Sequence, residues 1–165
     1  MSRATVRAAV LAYFTGTTGM SSLSKDEPWF TPGQAWISNG VRGTSCFVHI
    51  NGQSESIVST GGANLQRAVI YDVAVVIQYQ YAIPTNPGPN NDDYVTGLDA
   101  LLDTIVHKIR ADPSLGCGSN GPIWQAGIHD EDNNVVSDLP QRDSGKVWSI
   151  SFVKFKAIEI VVGAG

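Results

Sequence analysis

Hydrophobic residues recur along this chain with two distinct periods, and the places where one gives way to the other outline its elements. Val6, Ala9, Val10, Tyr13 and Phe14 follow the i, i+3, i+4, i+7 spacing of a helix with one apolar face. The spacing predicts a short helix over residues 3–14, with Ser2 as its N-cap and Gly16 as its stop. Residues 16–43 carry no period. Pro28, Pro32 and several glycines mark them as an extended loop with room for one short strand. Three large aromatics, Trp29, Phe30 and Trp36, lie in that loop and must be buried against this domain or against a partner.

Period two begins at Thr44. Thr44–Ile50 reads as a strand, Asn51-Gly52 as a hairpin turn and Glu55–Ser59 as the return strand. A longer strand follows over Ala68–Ile83, where Val69, Tyr71, Val73, Val75, Ile77, Tyr79 and Tyr81 alternate onto one face. Between them, residues 51–67 are polar and glycine-containing, with Ile57, Val58 and Leu65 as exceptions. Such a stretch cannot pack itself firmly, so it is expected to be mobile in a free subunit, or else an ordinary exposed hairpin loop. If it orders on a partner, Ile57, Val58, Leu65 and Arg67 join Trp29, Phe30 and Trp36 as candidate interface residues.

PTNPGPNN (84–91) excludes helix and central strand. The best-signalled helix comes next, with Tyr94, Leu98, Leu101, Leu102, Ile105 and Ile109 as its stripe. Asn90 or Asn91 supplies a cap, and Asp92 and Asp93 fall in the first turn. His107, Lys108 and Arg110 fall in the last, so both ends complement the helix dipole, and Asp112-Pro113 stops it. After a glycine-rich turn, a short strand is expected over Ile123–Ile128, a polar loop over 129–145 with a strand at Val135–Val136, and a long strand over Val147–Val162. The last strand changes apolar phase at Val153 and again at Ile158, which predicts a bulge or a change of covered face, with a bend near Phe152-Val153.

This order predicts one α+β domain over residues 1–165: a mainly antiparallel, mixed sheet, two helices packed on one face, and a projecting β-hairpin. Strands longer than about ten residues exceed what a small domain needs, so their ends are expected to meet another subunit. Composition points the same way. Only 16% of residues are charged, against about 25% in typical domains, which suits a surface hidden against neighbours. A net charge of −4 argues against a dedicated nucleic-acid binder. No apolar run reaches the roughly 18 residues of a membrane helix, and Arg7 interrupts the first apolar stretch, so neither a span nor a signal peptide is read here. Cys46 and Cys117 lack CxxC spacing and read as reduced thiols.

Candidate chemistry does not assemble. Taking Asp130 as the first position of a calcium loop puts Val135 where glycine is required and Gln141 where a bidentate Glu is required, leaving a solvated acidic loop. His49, His107 and His129 share no metal-ligand spacing, and Gly16–Gly19 precedes no Gly-Lys-Ser/Thr. Asp99 and Asp103 stand one turn apart but away from the apolar stripe, as solvated helix charges do. No catalytic, cofactor or metal site is assigned.

The succession VRAAVLAYF, WFTPGQAW, RAVIYDVAVVIQYQY, DDYVTGLDALLDTIVHKIRADPSLG, WQAG and VWSISFVKFKAIEIV resembles the tail terminators of long, non-contractile-tailed bacteriophages, especially those of actinobacteria. The likeness is one of layout over most of the chain. It implies a structural virion protein without enzymatic activity or cofactor: a hexameric ring of identical subunits that caps the tail tube, stops its growth and presents a surface to the neck of the head. Its implied partners are further copies of itself, the tail tube protein and a neck protein. Genomic DNA would pass through the lumen without specific binding. It would act in the host cytoplasm during assembly and reside at the head-proximal end of the tail. A head-closure or tail-completion subunit is the second reading, and a small α+β hydrolase a remote third.

Overall fold

The computed structural model describes residues 2–17, 22–24, 44–59, 64–80, 94–118, 121–127, 134–137, 141–143 and 146–164. Helix α1 spans Arg3–Phe14 and buries Val6, Val10 and Phe14, spaced by four along one face. Ser2 caps it with its backbone rather than its hydroxyl, its carbonyl accepting from the N–H groups of Thr5 and Val6. Gly16, at φ +77°, turns the chain out of the helix as the sequence implied.

Strand β1 (Ser22–Ser24) leads to the two long strands β2 (Thr44–Ser59) and β3 (Asn64–Gln80). Asn51-Gly52 is not the hairpin turn expected of it. Thr44–Ile50 and Glu55–Ser59 belong to one strand, and Asn51 is the extra residue of a bulge between the pairs Ile50↔Val73 and Gly52↔Asp72. A Cβ on Gly52 would come within 2.7 Å of Asp72 Oδ2, the end of an exposed side chain that is free to swing aside. Residues 51–59 and 64–67 belong instead to the paired strands β2 and β3.

A π-helical stretch, Tyr94–Asp99, runs directly into α2 (Ala100–Ala111). Leu98, Leu101, Leu102, Ile105 and Ile109 are buried on one face, as their spacing predicts, while the proposed caps Asn90 and Asn91 lie outside the described residues. Short strands β4 (Gln125–Gly127), β5 (Val135–Ser137) and β6 (Gln141–Asp143) precede the final strand β7 (Lys146–Ala164). Strand β6 had no signal in the pattern.

The sheet order is β1-β2-β3-β7-β4, with β5 and β6 also pairing β7. All these pairings are antiparallel except β1 with β2. The fold is therefore α+β with a mostly antiparallel sheet. Both helices cover the face that carries Val69, Tyr71, Val73, Val75 and Ile77 of β3 and Val153, Phe155 and Ala157 of β7. On the opposite face Phe47, Ala74 and Val76 form a second, smaller cluster with Ile150 and Phe152.

The expected bend at Phe152-Val153 has no bulge to make it. Strands β3 and β7 pair without a break from Gln80↔Trp148 to Asn64↔Ala164. The phase change in the sequence is a change of covered face: Val153, Phe155 and Ala157 pack under the helices, whereas Ile150, Phe152, Ile158 and Ile160 lie half-buried on the other side.

Candidate assembly surface

Glu55, Val69 and Glu159 stand side by side on β2, β3 and β7 in one cross-strand row. Val69 and Glu159 are buried, whereas Glu55 is exposed. The buried carboxylate of Glu159 accepts a 2.8 Å hydrogen bond from the Tyr71 hydroxyl, also buried, on the adjacent strand. Charge in such a place is tolerable only when hydrogen-bonded or paired. Burial, and then the bond to Glu159 and its charge, push the Tyr71 phenol up to about 12, with Arg3 opposing. Arg3, at the start of α1, donates to the Ile50 carbonyl and so ties the helix to β2 next to the Asn51 bulge.

Past that row Ser56 to Val58 on β2 and Gln66 and Arg67 on β3 are exposed, while Ala68 stays buried and Ile160 and Val161 are half-buried. Arg67 pairs with Glu55 at 2.9 Å, both side chains in water, which is worth little to stability. Ile57 faces Arg67, and Arg67 faces Val161, in one cross-strand row. Val58 is the extra residue between the pairs Ile57↔Arg67 and Ser59↔Gln66, and Val162 lies opposite Gln66. Ile57 is 60% exposed, Val58 56% and Val162 55%. Ile57 lies on the helix-covered face and Val162 on the other, and each would gain on the order of 1.5–3 kcal/mol if a partner buried it.

Of the interface residues expected from the sequence, Ile57, Val58 and Arg67 are thus brought together at this end. Leu65 occupies a β3 position paired with Gly163, its side chain outside the described set, and Trp29, Phe30 and Trp36 lie wholly outside it. Sequence reasoning missed Val162 and Glu159. The signal for Glu159 was present: it continues the buried alternation of Val153, Phe155 and Ala157. Trp124, 57% exposed just before β4, was not anticipated either.

Elsewhere, polar groups serve the scaffold. Lys108 Nζ donates to the Tyr13 carbonyl and the Thr17 hydroxyl and sits 4.9 Å from the Tyr13 ring centroid, while Tyr13 donates back to the Lys108 carbonyl. Asp112 accepts from the N–H and hydroxyl of Ser114 and from the Gly116 N–H, which hold its carboxyl below the usual range. Asp99 and Asp103 are exposed. Cys46 is buried, and its thiol is pushed up to about 12 by burial, while Cys117 is half-buried; both are free thiols. Among the described residues no group of three His, Cys, Asp or Glu side chains is placed to hold a metal, and no helix is long and apolar enough to cross a membrane. The sequence matches no protein-family model and no curated relative.

Proposed function

We propose that this chain is a non-enzymatic virion subunit of the tail-terminator type, which forms a ring on the end of a tail tube, stops its growth and offers a docking surface to the neck. The observation that carries this reading is the set of exposed aliphatic residues at one end of the sheet, Ile57, Val58 and Val162. A core sealed under two helices makes a self-sufficient scaffold, so the bare end is free to serve contacts with other chains. The low charge fraction and the layout of helix, long strand pair, helix and final long strand support the same reading. With four more acidic than basic residues per subunit, a ring is acidic overall, which suits a channel that DNA crosses without being held by its phosphates.

Negative-stain imaging of the purified protein, alone and mixed with its tail tubes, tests this directly. Closed rings and tubes with a capped end are expected. Tube ends that stay bare, in a preparation that light scattering reports as monomer, overturn it.

A further inference from the structure

The bare end of the sheet has two sides as well as two faces. On one side runs the outer edge of β2, Gln53 to Val58, and on the other the outer edge of β7, Ile160 to Val162. Among the described residues, β1 pairs β2 only over Ser45–Phe47, and β4 covers β7 only over Lys156–Ile158. Open edges in stable monomers are blunted by lysine, proline or inward charge. Here the single charge on either stretch is Glu55, already tied to Arg67. The β7 stretch, Ile-Val-Val, is β-branched throughout and favours strand pairing.

The two edges also match in direction. Strands β2 and β7 are both antiparallel to β3, so they point the same way. When the β7 edge of one copy lies along the β2 edge of the next, the junction is parallel. Strand β1 already pairs with this same side of β2 in the parallel sense, at Ser45–Phe47.

We infer that copies of this chain join head to tail through these edges, the end of β7 of one subunit adding as a parallel strand to Gln53–Val58 of the next, with Ile57, Val58 and Val162 buried at the junction. A partner satisfying only one edge leaves the other open, whereas an identical copy satisfies both, and repetition of one heterologous contact closes a ring. The inference deepens the ring reading above and rests on it.

Cysteine trapping tests it in the full chain, with Cys117→Ser removing the half-buried thiol. Ser56→Cys or Ile57→Cys is combined with Val161→Cys or Val162→Cys, so that both side-chain phases of each edge are sampled. The variants are oxidised at a concentration where light scattering reports an assembly, and circular dichroism confirms the parental fold. At least one double variant should give a non-reducing ladder running beyond dimer, while each single variant stays uncrosslinked. Dimers from a single variant, which indicate two-fold pairing of like edges, overturn the head-to-tail contact. So does an assembled protein that gives no ladder from any of the four pairs. That second result leaves the ring reading standing, whereas monomer at every concentration with bare tube ends removes both.

Discussion

The Tyr71 hydroxyl donates to Glu159 Oε2 at 2.8 Å, across adjacent strands, with both residues buried. Replacing Tyr71 with Phe removes a donor from a buried carboxylate, a change that costs about 1–3 kcal/mol. The Tyr13 to Lys108 carbonyl bond, only part-buried, provides the comparison. Its loss in Tyr13→Phe should cost about 0.5–1.5 kcal/mol. Denaturant midpoints at constant slope should rank Tyr71→Phe as the more damaging; the reverse order would mean that the Glu159 row is not sealed from water.

Two buried acids make stability fall at alkaline pH, and the half-buried Tyr13 phenol, also pushed up by burial, adds to the loss. Cys46 rises from 9.0 and Tyr71 from 10.0, each to about 12 in the folded chain. In these windows the unfolded chain has released protons that the folded chain still holds, so stability falls as pH rises. Below pH 9 both contributions are fully present. Thermal unfolding followed from pH 8 upward should be flat at first, then decline from about pH 9 and more steeply from about pH 10, the two unfolded-state values. In Cys46→Ala the first decline should vanish while the second remains. An unchanged profile would show that the Cys46 thiol is not sealed in the core.

The second helix offers a sharper test of face. Leu102 and Ile105 are buried on its stripe, and Asp99 at its start is exposed. Leu102→Ala and Ile105→Ala should each cost about 2–5 kcal/mol through lost burial and residual cavity. Asp99→Ala should stay under about 1 kcal/mol. If chemical denaturation found Asp99 the most sensitive of the three, its carboxylate would have to be engaged in a way its exposure does not suggest.

These contrasts show what the sequence could and could not convey. The stripe of Leu98, Leu101, Leu102, Ile105 and Ile109 was legible because one period runs through it without interruption, and α1 was legible for the same reason. Asn51-Gly52 misled because the dipeptide favours a turn only when nothing longer competes. Here β3 offers β2 a partner along nearly its whole length. In β7, apolar residues on both faces looked like a break in phase, although the register is continuous. A single strand does not reveal which neighbours cover its two sides. For the candidate surface, Ile57 and Val58 stood out as aliphatics in a polar stretch, whereas Val162 was masked by its place at the end of an apolar run.

That exposed end also yields the prediction closest to function. Ile57 and Val58 are 60% and 56% exposed, so changing both to Lys removes little buried area and should alter stability by no more than about 0.5 kcal/mol per site. The same change places two positive charges where a partner would bury aliphatic surface, and a desolvated, unpaired charge costs far more than the contact it replaces. The double variant Ile57→Lys/Val58→Lys should therefore fold as the parent does yet fail to cap, leaving tails of uncontrolled length when it replaces the parent protein during assembly. Circular dichroism and thermal melting establish the fold, and electron micrographs of the tails give the length distribution. Tails of normal, uniform length from a folded double variant would remove this end of the sheet from the capping surface and return attention to the segment that carries Trp29, Phe30 and Trp36.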